Sequence, residues 1–173
     1  MTGHTHEREA ALLADLHSAG TAFRVFEHEA TATVAESAAV KDHIAGAHTK
    51  NLFLTDRRGR FWLVTMPAEE RADLKFMASR LGAPRLSFGK AEDMVAFLGV
   101  VPGSVTPLAA FNDTEGRVQV VLDTAFAPTG TINIHPLRNT ATLSMQTADL
   151  VAALTRWNHA PQVLTLKPDQ ASR

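Results

Sequence analysis

The chain contains no cysteine, which removes disulfides, thiolate nucleophiles and cysteine-ligated metal together. Neither sign of charge is in excess: 17 Lys and Arg stand against 18 Asp and Glu, a formal net charge of −1. A general nucleic-acid coat or a membrane-surface protein carries surplus positive charge, so both classes are excluded. Long apolar runs are missing as well. The longest, residues 94–101, is interrupted by Gly99 and stopped by Pro102, far short of the roughly 18 residues that span a bilayer. The opening Met-Thr-Gly-His-Thr-His-Glu-Arg-Glu has no apolar core and does not read as a secretory signal. The expectation is a soluble cytoplasmic protein with no membrane partner.

The absences extend to catalytic motifs. No Gly-x-Ser-x-Gly elbow, phosphate-cradling Walker loop or dinucleotide fingerprint can be written on this sequence. Eight histidines are many, yet none forms a His-Glu-x-x-His pair, and His43 and His48 are five apart. His4 and His6 fall in a start expected to be mobile. The histidines read as unrelated, and no metal or other cofactor is expected.

What is present is ordinary globular material: 173 residues, 45% hydrophobic and 20% charged, which fits one domain over 1–173. A polar tail, 167–173, is expected to be mobile. Apolar spacing predicts a helix over 7–19 and a short strand over 23–27. A capping box, Thr33-Val34-Ala35-Glu36, opens a second helix that runs to about Ile44. Strands 51–55 and 61–66 flank the turn Asp56-Arg57-Arg58-Gly59 and form a hairpin. Helices follow at 68–81 and 91–98, with a short strand at 85–88 between them. Beyond the loop 99–107 come strands at 118–122, 131–135 and 142–145. A helix capped by Thr147 then runs to about Arg156, and a last strand covers 162–166. Helices and strands are interspersed without a βαβ rhythm, so the expected class is mixed α/β: a curved mixed sheet surrounded by helices.

Three segments stand out. In the first, Lys50 and Asn51 stand at the mouth of the apolar strand Leu52-Phe53-Leu54, where a lysine can simply solvate a strand edge. The second is Gly103-Ser104-Val105-Thr106-Pro107, either a plain turn or a stiff loop whose backbone amides face a ligand oxygen. In the third, His135 closes a strand that Pro136 cannot extend, followed by Leu137, Arg138 and Asn139.

Taken in order, Lys50-Asn51-Leu52-Phe53-Leu54, the stretch from Leu98 through Gly103 to Pro107, and Ile134-His135-Pro136-Leu137 with Asn139 resemble the YbaK/ProX family of prolyl-tRNA editing domains. The resemblance covers nearly the whole chain. It implies a trans-editing hydrolase that frees the wrong amino acid from a tRNA, most similar to the free-standing branch that clears alanine from proline tRNA. On this resemblance Lys50, Gly103 and His135 are the catalytic positions. Asn51, Ser104, Val105, Thr106, Pro107 and Asn139 are the substrate-binding ones. Lys50 would meet a phosphate or ester oxygen, and the loop amides would stabilise charge on the reacting carbonyl. No general base is assigned. Ile44, Leu52 and Phe53 are candidate apolar walls for the side chain.

The implied partner is the acceptor end of mischarged tRNA(Pro), with a transient association with prolyl-tRNA synthetase and a monomeric state. With a neutral total, tRNA contact must be local. Arg57, Arg58 and Arg60 form one cationic turn; Arg80, Arg85 and Lys90 form a second patch, Arg85 being the preferred contact. Two alternatives stay open: a deacylase of another mischarged tRNA (seryl, threonyl or cysteinyl esters), and a non-catalytic tRNA-binding module.

Overall fold

The computed structural model describes residues 2–31 and 34–170. In chain order its elements are α1 (Thr2–Ser18), β1 (Phe23–Glu27), α2 (Val34–His43), β2 (Ala47–Thr55), β3 (Phe61–Pro67), α3 (Leu74–Leu81), β4 (Ser87–Phe88) and α4 (Ala91–Leu98). A 3₁₀ helix (Pro107–Asn112), β5 (Val118–Asp123), β6 (Thr131–Ile134), β7 (Ala141–Gln146), α5 (Thr147–Arg156) and β8 (Gln162–Leu164) complete it. The class is mixed α/β, as the sequence predicts. Eight strands form one sheet in the order β1-β7-β6-β2-β3-β5-β8, with β4 paired to β2 off that path.

β2 joins the two halves of this sheet. One edge pairs antiparallel with β3 from Thr49 to Thr55. The other edge changes partner along its length: Ala47 and His48 run parallel to β6, while Leu54 and Thr55 pair antiparallel with β4. Between His48 and Leu54 that second edge carries no strand among the described residues. The sheet therefore parts beside Lys50 and Asn51.

Strand alternation assigns each residue a face. Leu63, Phe53, Val118, Val120, Ile132, Ile134, Leu143 and Met145 point into the main core, which α1 closes with Leu12 and Leu16 and α5 with Leu150 and Leu154. On the opposite face Leu54, Trp62, Val64, Met66 and Val121 pack against Met77 and Ala78 of α3, with Leu86 and Leu166. The β2-β3-β5 half is thus apolar on both faces. In β6 and β7 the second face is polar, built of Asn133, Thr142 and Ser144.

Several elements depart from expectation. α1 begins at Thr2, so His4 and His6 lie on a helix rather than in a mobile start; His4 Nδ1 is 3.8 Å from the Glu7 carboxylate. α3 starts at Leu74, not residue 68, because Asp73 caps it by accepting from the Phe76 amide (3.0 Å), and the Glu70 amide is turned back onto the Pro67 carbonyl. Thr147 is the first residue of α5 and not its cap: its hydroxyl and its amide both donate to the Gly130 carbonyl. β4 and β8 are shorter than predicted. Thr33 of the capping box lies outside the described residues, as do 171–173, whereas Lys167 is held by Glu70 at 2.9 Å.

Lys50 and Asn51 stand in mid-strand, not at its mouth, because pairing with β3 and β6 carries β2 back to Ala47. Gly89 fixes how β4 docks. Its amide donates to the Phe53 carbonyl (2.8 Å), and a Cβ placed on it would lie 2.5 Å from the Phe53 ring. That ring is buried and stacked on Phe61 at 5.5 Å, so it has little room to yield. Gly89→Ala should therefore lower stability by about 1–3 kcal/mol through overpacking, read as a lower urea midpoint; an unchanged midpoint would show that β4 can shift freely.

Candidate active site

A cavity of about 90 Å3 lies over β7, β6 and the start of β2, just short of the parting. α2 lines it with Ser37, Val40 and Lys41, β2 with His48 and Thr49, β6 and its exit with Asn133, Ile134 and His135, and β7 with Thr142; His28, just past β1, closes it. Volume alone does not select this place. A wider groove of about 760 Å3 lies between residues 70–74 and 167–170, but it holds no histidine and contains the Lys167–Glu70 ion pair.

Three of the eight histidines meet here, so they are not unrelated. A carbonyl oxygen can only accept, so each bonded ring nitrogen must carry the proton. His135 donates from Nδ1 to the Ala141 carbonyl (3.0 Å), which leaves Nε2 with its lone pair. His48 donates from Nε2 to the Ile44 carbonyl (2.8 Å). His28 donates from Nδ1 to the Glu29 carbonyl (2.8 Å), so its Nε2 accepts from the Thr142 hydroxyl (2.9 Å). Burial holds the His135 imidazole below its ordinary pKa, the nearby His28 adds to this, and the bond to Ala141 opposes it. His135 is therefore a neutral ring with a free acceptor at neutral pH. Among the described residues no group of three or more His, Asp or Glu side chains is arranged to hold a metal ion.

Lys50 does not line the cavity, but it shares a strand face with His48, two residues and about 7 Å away. It is half-buried and has no ion-pair partner among the described residues. Asn51 points to the other face, where its amide donates to Thr49 Oγ1 (3.3 Å) and its oxygen accepts from Thr65 Oγ1 (2.7 Å). Thr49 Oγ1 donates in turn to the Asn133 carbonyl (2.8 Å), so Asn51 braces the cavity wall from behind.

The 103–107 loop comes close to the 135–140 connection: a Cβ on Gly103, whose φ is +91°, would lie 3.6 Å from the Asn139 amide nitrogen. The Gly103 and Val105 amides have no acceptor among the described residues, while the Ser104 amide turns back to the Val101 carbonyl. Thr106 and Pro107 are buried, and Thr106 Oγ1 accepts from the Leu108 amide to open the 3₁₀ helix. The proposed apolar walls lie elsewhere. Ile44, Leu52 and Phe53 do not line the cavity, because Phe53 sits in the main core and Leu52 packs on the second; Val40 and Ile134 take that place.

The segments that carry the two cationic patches are joined through Arg60. Arg60 is consumed by Asp56 (2.7 Å) and by the Gly82 carbonyl (3.2 Å), and stacks over Trp62. This bond ties the hairpin turn to the end of α3 and brings exposed Arg57 and Arg58 to the same end of the sheet as Arg80 and Arg85. That end is about 20 Å along β2 from Lys50. Lys90, also exposed, stands at the N-cap of α4.

The model of the aminoacyl-tRNA editing domain matches residues 28–153, which include every residue of the cavity wall. The chain belongs to that family. This editing domain is 36% identical over 163 residues to prolyl-tRNA synthetase associated domain-containing protein 1 of Bos taurus, covering 91% of this chain and 95% of that protein. The Danio rerio protein of the same name is 38% identical over 141 residues, covering 80% and 77%. The prolyl-tRNA editing protein ProX of Acetoanaerobium sticklandii is 28% identical, covering 83% and 88%. Among solved structures, one described as a candidate trans-editing enzyme for prolyl tRNA synthetase superposes with a TM-score of 0.70 at 20% identity, covering 94% and 98%, and so shares the fold.

His28 and Thr142 were not singled out by sequence reasoning, and His48, Thr49 and Asn133, which open the first and third of the segments that stand out, were given no role. Part of the signal was there: Asn133 between Ile132 and Ile134, and Thr142 and Ser144 between Ala141, Leu143 and Met145, mark strands with one wet face.

The depressed pKa of His135 has a pH consequence. Below the ordinary imidazole value near 6.5 the unfolded chain binds a proton that the folded ring resists. Stability therefore falls as pH drops through the window between 6.5 and the lower folded value, and is untouched by this group above it. His135→Gln should flatten the fall in urea midpoint between about pH 7 and pH 5.5 relative to wild type; parallel curves would place the titration elsewhere.

Proposed function

We propose that this editing domain is a trans-editing deacylase whose substrate is alanyl-tRNA(Pro). The observation that carries the reading is the cavity: about 90 Å3, room for about three water molecules, on a member of an aminoacyl-tRNA editing family. A small aminoacyl group fits such a space, with Val40 and Ile134 against its methyl and hydroxyl and imidazole groups around its ammonium. Size is also where a proline-selecting synthetase is weakest, since missing methylenes discriminate by only about 1–3 kcal/mol. A second, smaller site supplies what the first cannot.

In this reading water attacks the ester carbonyl, the carbonyl–ribose oxygen bond breaks, and the proton lost by water ends on the terminal ribose hydroxyl. The Gly103 and Val105 amides donate to the carbonyl oxygen as charge develops on it. His135 Nε2 accepts from the attacking water or the adjacent ribose hydroxyl, and Asn139 orients the ribose. Lys50 pairs with a phosphate or ester oxygen of the acceptor end. Ser104, Thr106 and Pro107 hold the loop in shape, and Asn51 holds Thr49. Seryl esters are the second reading, favoured by the Thr31 and Thr142 hydroxyls on the cavity wall.

A deacylation panel decides: alanyl-, seryl-, threonyl-, cysteinyl- and prolyl-tRNA(Pro) beside alanyl-tRNA(Ala). Selective loss of alanine from tRNA(Pro) is expected, slowed at least about 100-fold in Lys50→Ala and unaffected by a chelator. Faster loss of serine would move the assignment to seryl esters. Turnover of no ester would favour a tRNA-binding module instead.

The arginines at the far end of β2 give an independent check. Binding of tRNA(Pro) should weaken with salt, and neutralising Arg80 and Arg85 together should reduce the slope of log affinity against log salt by about 1–2. An unchanged slope would remove that end from the interface.

A further inference from the structure

The connection between β6 and β7, residues 135–140, carries His135 at one end and Asn139 near the other. Its backbone is not relaxed. Leu137 is held at φ +69°, a left-handed conformation that costs a side-chain-bearing residue and persists only when its surroundings impose it. One anchor is burial, since Leu137 is 2% exposed in the main core. The other is Arg138.

The Arg138 guanidinium spans three elements. Nε donates to Glu9 Oε2 of α1 (2.8 Å), and Nη1 and Nη2 donate as a fork to Glu27 at the end of β1 (2.7 and 2.6 Å). Nη1 also donates to Thr140 Oγ1 (3.0 Å), two residues along. These bonds raise the pKa of Arg138, the Glu27 bonds most, and hold Glu27 below the ordinary carboxylate value. Glu9 is buried, and Arg138 is its ion-pair partner. The same connection bonds to both His135 and His28 of the cavity wall. His135 donates to Ala141, the residue after the connection, and the His28 amide donates to the Thr140 carbonyl (3.0 Å).

We propose that Arg138 is a positioning residue of the editing site: by clamping the 135–140 connection to α1 and β1 it holds His135 and His28 at the cavity in one orientation and one tautomer. It touches no substrate. The bidentate fork is what gives direction as well as attraction, which a lysine at this position would lack. The kinetic half of this proposal rests on the deacylase reading; the geometric half does not.

The test uses Arg138→Gln, Arg138→Lys and Glu27→Gln, the last at a largely exposed carboxylate. Imidazole ¹⁵N spectra of the full chain report the His135 tautomer. Wild type should show a single Nδ1–H form, and Arg138→Gln a mixture. With alanyl-tRNA(Pro), kcat should fall at least about 10-fold in Arg138→Gln, as small misplacements of a reacting group do, with KM kept within about two-fold. Arg138→Lys should recover part of kcat, and Glu27→Gln should lose part of it. A folded Arg138→Gln with the wild-type tautomer and kcat, or one that loses only melting temperature, overturns the proposal. Should Arg138→Gln fail to fold, Glu27→Gln decides on the same two readouts. If wild type hydrolyses no ester the deacylase reading falls, and the tautomer spectra still decide whether Arg138 positions His135.

Discussion

The parting of the sheet along β2 is the constraint on which the rest depends. A strand can satisfy only two neighbours, and β2 divides one of its edges between β6 at Ala47–His48 and β4 at Leu54–Thr55. The residues between cannot be covered by either, so the fold leaves an opening in its middle instead of at a rim. The cavity lies beside that opening, and its wall is gathered from far apart in sequence. His28 and Thr142, 114 positions apart, are bonded to each other in that wall, and Thr49 reaches the Asn133 carbonyl 84 positions on.

The chemistry of the opening is set less by charge than by carbonyl groups. Each of its three imidazoles is committed at one nitrogen to a backbone oxygen, and a backbone oxygen admits one tautomer only. The protein thereby chooses which nitrogen of each ring is left to act, and brings the rings to one cavity whose wall holds no carboxylate. Lys50 stands beside the opening with no ion-pair partner among the described residues, while Arg57, Arg58, Arg80 and Arg85 lie toward the far end of the same strand.

Local chemistry was legible in the sequence wherever one stretch of chain decides the outcome. The β2–β3 hairpin follows from Asp56, whose carboxylate collects the Arg58 and Arg60 amides. α4 runs from Ala91 to Leu98 as its apolar spacing and Gly99 indicate. Where two local signals compete, only packing arbitrates: Asp73 wins the start of α3, and the polar opening residues join α1 because Leu12 and Leu16 anchor that helix in the core. Lys50, Gly103, His135 and Asn139 were reached through a family resemblance. Apart from Ile134 and His135, the cavity wall was not, since no spacing along the chain reveals that β7, β6 and β2 lie side by side. For the same reason the sequence does not reveal that the Arg57–Arg58 turn is tied to the end of α3, as the Arg60–Gly82 bond shows.

The unequal faces of the sheet have a dynamic consequence. β2, β3 and β5 are sandwiched between two apolar clusters, whereas β6 and β7 carry Asn133, Thr142 and Ser144 on their second face and so have hydrophobic backing on one side only. Cooperative opening units follow the density of buried apolar contact. The wing of β1, β7 and β6 is therefore the half that can breathe as a unit while the other half stays shut, and β2, shared by both, is the seam along which the molecule would come apart first.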